Sequence, residues 1–491
     1  MPLNSPRGNP ANFPAIKKKF LQLNPVNASS GGVYSFRNGL PLIKFDISSS
    51  DAPLFMEGKE LRLNGNITYT LPAGTQLTGT DQNFVDGFTG GIASVIDTIT
   101  ISSKRLNQSL ERCNLYSRSV PSIISGVHSE QDIDTSLCHG GLHNSTIPLT
   151  RPMITGLNGF NTQITLDRTA TQIGKAFSTP IYLGLVNSGE DLDLSAQTGV
   201  GGLTIEILLK SDVNCCFGAQ ASTNNVTYKL NNLILTVPCY EFMGAPAQQY
   251  AGGMNKFDFN SWSAIFQTIN TSDSVIAFTP GLNRVASVFM NSVTATDLGN
   301  QAFNYSRLGP VGELRQVRYS KNGVLYPMQF RLETVEQVND DAATTGVNNF
   351  AWHTEKPRVV PLRNYLESVR TDAYSKISRT SSCWNGWSSG VLDRNQNCNR
   401  DGIRPGTCAG LGVLYDRFGA GTDFSQQVFS TELQYASNSL GAPVATPLVV
   451  APNENQQNGL DGSSNTSQAT CLYFLNKNTL MFSPTGIDVQ R

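Results

Sequence analysis

Between positions 31 and 71 apolar residues recur in short runs that are separated by glycine, asparagine and serine. Val33, Tyr34 and Phe36 lead into a turn at Arg37-Asn38-Gly39, and Leu40, Ile43, Phe45 and Ile47 follow. After Ser48-Ser49-Ser50-Asp51 come Leu61, Leu63, Ile67 and Tyr69 on one parity, with Arg62, Asn64 and Thr68 on the other. A period of two belongs to a strand with one covered face, not to a helix. Asn38-Gly39 and Asn64-Gly65 suit turns or bulges, because glycine reaches positive φ without a Cβ clash.

The same grammar continues along the chain. Ile92, Val95, Ile96, Ile99 and Ile101 form a buried run, and 106–119 reads as a short helix with Leu106, Leu110 and Cys113 on one side and Pro121 as its stop. Further strands are predicted at Phe160, Ile164 and Leu166, at Ile181, Leu183 and Leu185, over 200–209 and over 226–240. The last changes parity across Asn231-Asn232, as a β-bulge does. Glycine and proline interrupt the pattern at 243–260. Strand signals then resume at Trp262, Ile265, Phe266 and Ile269, at Val275, Ile276 and Phe278, and at Val285, Val288 and Phe289. Leu314, Val317 and Tyr319, then Lys321-Asn322-Gly323, then Leu325 and Tyr326 spell a hairpin.

From 340 to 430 glycine, serine and asparagine dominate, with a short helix expected within 364–377. Trp352, Trp384 and Trp387 are costly to leave wet, so this stretch reads as an insertion that packs on itself or on a neighbouring subunit. A strand at 429–435 and two β runs around Asn476, over 471–482, close the chain. The expected architecture is all-β. A flexible arm occupies 1–30, a first domain 31–245, and a second domain 246–491 that carries the 340–430 insertion.

Composition limits what such a chain can do. At 491 residues it exceeds the size at which one core stops growing. Its formal net charge of -1 makes the whole no magnet for nucleic acid. Arg7, Lys17, Lys18 and Lys19 are unopposed by any acid within the first 20 residues. They suit either a solvated terminus or an arm that threads beneath neighbouring subunits or faces a nucleic-acid interior, with weak contact and no specificity. No apolar run approaches the roughly 18 residues that span a bilayer, and the N-terminus shows no apolar signal core. Nine cysteines are too sparse for a disulfide framework, so reduced thiols and intracellular synthesis are expected.

Candidate chemistry is thin. Cys138, His139 and His143, with His128 and Cys113, form the one Cys/His group, and it lacks the second half of a zinc site. Cys383, Cys398 and Cys408 read as separate thiols. The run from Asp393 to Asp401-Gly402 begins like a calcium loop, but Cys398 stands where glycine is needed and Arg404 where the bidentate glutamate belongs. Glu111, Glu130, Asp132, Asp134, Glu190, Asp191 and Asp193 read as solvated charges. No nucleophile elbow, P-loop or dinucleotide fingerprint occurs. No cofactor or metal is expected, and the chain reads as a structural protein rather than an enzyme.

Three stretches carry a family resemblance. Gly31-Gly32-Val33-Tyr34-Ser35-Phe36, Pro41-Leu42-Ile43-Lys44-Phe45-Asp46-Ile47 and Glu60-Leu61-Arg62-Leu63-Asn64-Gly65 resemble the opening strands of double jelly-roll major capsid proteins, such as those of virophages and polinton-like viruses. Gly90-Gly91-Ile92 running into Ile99-Thr100-Ile101, and Tyr228-Lys229-Leu230-Asn231-Asn232-Leu233-Ile234-Leu235, are similar to later parts of the first barrel. The likeness covers 31–245 and fades to overall layout beyond 260. It implies two tandem eight-stranded antiparallel jelly rolls with long loop insertions and a few short helices. It further implies a homotrimer with a pseudo-hexagonal base, tiling an icosahedral virion shell around double-stranded DNA beside penton and minor capsid proteins, with room for an internal membrane. Synthesis would be in the host cytoplasm, and removing residues 2–28 would spare the trimer but impair shell assembly. A penton, spike or receptor- or carbohydrate-binding virion protein is the alternative, and a secreted β-sandwich hydrolase a remote one.

Overall fold

The computed structural model describes residues 15–27, 29–37, 39–49, 54–70, 91–106, 108–127, 172–188, 191–196, 199–212, 227–243, 256–269, 273–294, 314–326, 332–333, 364–365, 367–369, 411–416, 421–435, 468–483 and 486–490. The first half contributes β1 (Ala15–Leu23), β2 (Val33–Tyr34), β3 (Leu42–Ile47), β4 (Leu54–Met56), β5 (Arg62–Thr70), β6 (Ile96–Ser103) and β7 (Gln108–Cys113). Helix α1 (Tyr116–Val127) follows, then β8 (Gln172–Pro180), β9 (Leu192–Asp193), β10 (Leu203–Leu209) and β11 (Thr227–Met243). The second half contributes β12 (Lys256–Ile269), β13 (Asp273–Phe278), β14 (Val285–Thr294), β15 (Leu314–Lys321) and β16 (Val324–Tyr326). It ends with β17 (Leu332–Glu333), β18 (Leu411–Leu414), β19 (Phe429–Tyr435), β20 (Gln468–Ser483) and β21 (Gly486–Gln490).

Each half builds two antiparallel sheets. In the first, β1, β11, β5 and β8 lie side by side and face β3, β10, β6 and β7, while β2, β4 and β9 extend the larger sheet. In the second, β12, β20, β14 and β18 face β13, β19, β15 and β16, with β21 on β20 and β17 on β15. Ranking the eight main strands of each half by chain order, both halves pair first with eighth, eighth with third and third with sixth. The facing sheets pair second with seventh, seventh with fourth and fourth with fifth. That order, two Greek keys folded face to face, is the jelly roll.

Local chemistry explains many of the elements. In β10 the pattern of LTIEILL buries Leu203, Ile205, Ile207 and Leu209 against the facing sheet. The bulge expected at Asn231-Asn232 is present: the β11–β5 register shifts between Asn231 and Ile234, and Asn232 takes φ 52°. The hairpin at Asn322-Gly323 is also present, with φ 50° and 81° at the two central residues and Tyr319 opposite Tyr326. Both positive angles match the right-handed twist of the flanking strands.

Five expectations need correction. The arm at 1–30 contains a strand: β1 runs antiparallel to β11 from Ala15 opposite Met243 to Leu23 opposite Leu235. Prolines obscure this strand in the sequence, but they lie outside it, and Leu21 and Leu23 pack on the core. The helix expected at 106–119 is displaced. Residues 108–113 pair with β6 as β7, Leu115 turns the chain at φ 55°, and α1 begins at Tyr116 and includes Pro121. The spacing of Leu106, Leu110 and Cys113 is helical, and the strand buries both Leu110 and Cys113 only through a bulge at Leu110, where the β6–β7 register shifts; the edge of β6 decides for the strand. Ile181, Leu183 and Leu185 are buried but form no strand, because β8 ends at Pro180 and the Asn187 side chain donates to the Ile181 and Leu183 carbonyls at 2.9 and 2.8 Å. The two β runs around Asn476 are one strand. Asn476 stays within β20 because its amide accepts from the Arg284 N–H at 3.1 Å and donates to Asn478 at 2.8 Å. Finally, residues 411–414 and 421–430 of the expected insertion belong to the barrel. There β18 takes the sixth place, and Phe424 and Phe429 are fully buried. The strand expected at 160–166 lies outside the described residues.

Gly323→Ala is expected to destabilise the chain by about 1 kcal/mol, since alanine resists the left-handed backbone there. A lowered denaturation midpoint with unchanged slope checks it.

Candidate functional site

In the second barrel's sheet of β12, β20, β14 and β18, strands β14 and β20 are buried on both faces. On β20, Leu472 and Phe474 point into their own barrel, while Cys471, Tyr473 and Leu475 join the core of the first. On β14, Val288 and Met290 take the inner side and Ala286 and Phe289 the outer. Helix α1 lies against that outer face, held by polar side chains at each contact. Asn291 donates to the Arg118 carbonyl at 2.9 Å and to Ser122 Oγ at 3.0 Å, and the Tyr473 hydroxyl donates to the Leu115 carbonyl at 2.9 Å. Tyr365, in the helical residues 364–365 and 367–369, donates to the Ser122 carbonyl at 3.2 Å, while Ser287 Oγ donates to the Ser368 carbonyl at 2.7 Å. Phe289 stacks on Tyr473 at 4.8 Å and meets the edge of Trp262 at 4.9 Å.

Glu111 stands at the end of this seam. It is 2% exposed, and its carboxylate accepts from the Gly184 and Leu185 amides at 3.0 and 2.7 Å and from the Trp262 amide on β12. Burial pushes its pKa up to about 7, against the downward pull of those three amides. Glu111 is therefore not the solvated charge expected of it. Asp193 is also buried, with its carboxylate accepting from the Ser195 amide at 2.8 Å. Asp191 is pushed upward by burial first and by the charge of Glu57 second. Glu130, Asp132, Asp134 and Glu190 lie outside the described residues.

The basic residues of the N-terminal stretch divide. Lys18 Nζ lies 2.8 Å from Glu57 Oε2 and 3.2 Å from the Tyr240 hydroxyl, above the rings of Phe20 and Tyr240 at 5.3 and 5.1 Å. Its pKa is raised, first by the hydrogen bond to Glu57. Lys19 pairs with Glu241. Lys17 is exposed and makes no ion pair among the described residues. The fold thus supplies acids 39 and 222 positions away to residues that have none nearby in sequence. Arg7, Trp352, Trp384 and Trp387 lie outside the described residues, as do the Cys138, His139, His143 and His128 group, the thiols at 383, 398 and 408, and the 393–404 run. Among the described residues no cluster of metal-ligating side chains occurs. Cys113, Cys239 and Cys471 are buried free thiols, and no described helix is long and apolar enough to cross a membrane.

Comparison with solved structures follows the barrels through the whole chain. A chain of the quasi-atomic PBCV-1 virus capsid aligns over 98% of this chain and 97% of its own length, with a TM-score of 0.54 at 10% identity. The fold is that of the double jelly-roll capsid proteins. A chain of the 3.5 Å cryo-EM structure of the Sputnik virophage aligns over 100% of this chain and 91% of its own, with a TM-score of 0.53 at 10% identity. No protein-family model and no curated protein sequence matches the chain. The double jelly roll therefore persists where sequence identity has fallen to a tenth.

The seam was hidden from sequence reasoning because Glu111, Asn291 and Tyr473 carry no motif. The available signal was the loss of alternation at Val285-Ala286-Ser287-Val288-Phe289-Met290 and Cys471-Leu472-Tyr473-Phe474-Leu475, since a strand covered on both faces has no polar parity. Gly184 provides a test of how tightly the seam is closed: a Cβ there would overlap the Asn260 carbonyl of β12. Gly184→Ala is expected to destabilise the chain by about 1–3 kcal/mol, because backbone rather than a flexible side chain must move. Its thermal midpoint compared with wild type checks this.

Proposed function

We propose that the chain is a major capsid protein of hexon type, a structural subunit without catalytic function. The observation that carries this reading is the pair of eight-stranded jelly rolls with identical strand order in one chain, matched along nearly the whole length of a PBCV-1 capsid chain. Two rolls side by side, three chains to a ring, give six similar lobes and so a tile for a hexagonal net. Closed point-group trimers of this sort are an ordinary solution to assembly. The subunit would act in the virion shell, in contact with neighbouring trimers, penton and minor capsid proteins. Its location in a capsid follows from the same reading.

The charges of the N-terminal stretch suit a modest role. With Lys18 and Lys19 paired to acids, Lys17 and Arg7 remain as candidates for a weak, salt-sensitive contact with packaged DNA or an inner partner. Trp352, Trp384 and Trp387 remain candidates for packing between subunits or within a projecting tower.

Light scattering of the purified full-length chain is expected to give about three times 53.2 kDa, with a six-cornered outline in negative stain. A monodisperse monomer overturns the reading, and a pentamer moves the subunit to the vertex. Truncation separates the assembly role from folding. Removing residues 2–14 leaves β1 whole and is expected to spare the trimer while impairing shell assembly. Removing 2–28 takes away the nine-residue pairing of β1 with β11 and is expected to lower the stability of the subunit itself. Normal shells from the shorter truncation count against the assembly role.

A further inference from the structure

We propose that the outer face of the first barrel, around Phe20 of β1 and Tyr240 of β11, is the seat for the second barrel of a neighbouring copy of this chain, which enters by its β16 side. This rests on the trimeric reading above and names the surfaces that join one chain to the next. The joint inside the chain is head-to-tail. The first barrel offers its fifth strand, β7, and the helix α1 that follows it. The second barrel receives them on its first strand, β12, and on the outer face of β20 and β14. Donor and receiver are different surfaces, so the joint leaves one of each unused. The first barrel keeps its own first-strand face at β1 and β11, and the second keeps its own fifth strand, β16. A head-to-tail contact that repeats closes into a ring when its rotation allows, and three chains of two barrels then repeat one kind of joint throughout.

The unused seat has the same aromatic pair as the filled one. On the second barrel the first strand turns Trp262 outward and the eighth turns Tyr473 outward, and the first barrel covers both, leaving Trp262 7% exposed. On the first barrel the corresponding strands turn Phe20 and Tyr240 outward. Leu21 and Leu23 face the core there, while Lys18 Nζ lies above both outward rings. Phe20 is 61% exposed and Tyr240 half-buried. The ions beside these rings are already matched, Lys18 by Glu57 and Lys19 by Glu241, so docking has no unpaired charge to desolvate at either lysine.

On the donor side, β16 pairs with β15 alone among the described strands, and its first residue, Val324, is 63% exposed. Val428 lies beside the same hairpin, with its carbonyl accepting the Asn322 N–H at 2.7 Å, and is exposed as well. Phe20 and Val324 are two of the three most exposed large apolar side chains among the described residues, and they stand on the two surfaces that the in-chain joint leaves over. The seats differ at the third strand. Where β14 carries Ala286 and Phe289, the outer face of β5 carries Arg62, bonded to Ser178 Oγ at 3.0 Å, and Asn64, bonded to Thr236 Oγ1 at 2.8 Å. The joint within a chain is therefore dry and the joint between chains more polar, so the subunit keeps its fold when the trimer comes apart.

Photo-cross-linking of the full-length protein tests this, with Val324 or Phe20 replaced by p-benzoylphenylalanine in an equimolar mixture of light and nitrogen-15 chains. Both side chains are exposed in the single chain, so the subunit tolerates either replacement. A label at 324 is expected to capture peptides from 15–23 or 234–243 of another chain, seen as mixed-isotope pairs, and a label at 20 to capture 319–326 or 424–429. Val324→Asp is expected to raise the concentration at which trimers dissociate about tenfold, with the thermal midpoint of the separated subunit unchanged. Trimers whose labels capture other segments, or no second chain, overturn the seat and leave the trimer standing; so does unaltered dissociation of Val324→Asp. A wild-type chain that stays monomeric overturns the trimer and the seat together.

Discussion

The constraint on which this molecule depends is the burial of two strands, β14 and β20, on both their faces. A sheet in a free-standing jelly roll has an inner face to cover and an outer face for water. In the sheet of β12, β20, β14 and β18 the outer face of β14 and β20 is instead covered by α1 and the first barrel. Ala286 and Phe289 on one strand and Cys471, Tyr473 and Leu475 on another therefore belong to the first barrel's core, while their sequence neighbours belong to the second's. The two barrels share apolar packing instead of touching across a wet gap. Separating them would expose Trp262, Phe289 and Tyr473 together, and large aromatic side chains dominate the energetics of cores and interfaces alike.

Sharing a core creates a polar problem that the seam residues solve. The first turn of α1 and the carbonyls near it point toward a hydrophobic sheet, where unpaired groups are expensive. Asn291, Tyr473 and Tyr365 meet three of those carbonyls directly. The same need explains a carboxylate at position 111, which meets amides from a turn and from a strand edge at once. Such groups contribute little net energy when satisfied, but their geometry selects one docking arrangement of the barrels over others.

At the other side of the first barrel, β1 shows how a charged stretch can be structural. Lys18 and Lys19 lie on opposite faces of an edge strand, each held by an acid from another part of the sheet. Lysines on an edge also discourage strand-to-strand aggregation. Two of the four basic residues of the N-terminal stretch are therefore held in ion pairs within the fold.

Local chemistry determined much of this in advance. The alternation of β3, β5 and β10, the bulge at Asn231-Asn232 and the Asn322-Gly323 hairpin follow from side-chain period and from backbone angles that only a few residues accept. The all-β class and the division into two β domains were legible for that reason, whereas the pair of jelly rolls was what the family resemblance implied. Tertiary structure decided what short-range signals leave open. Whether 108–113 became a strand or a helix depended on the free edge of β6, and whether 15–23 was an arm or a strand depended on the edge of β11 more than 200 positions away. Glu111 looked like any surface acid, because burial is a property of what packs above a residue. Periodicity reports one covered face and falls silent when both faces are covered, and there only the folded chain could show that its two barrels are joined.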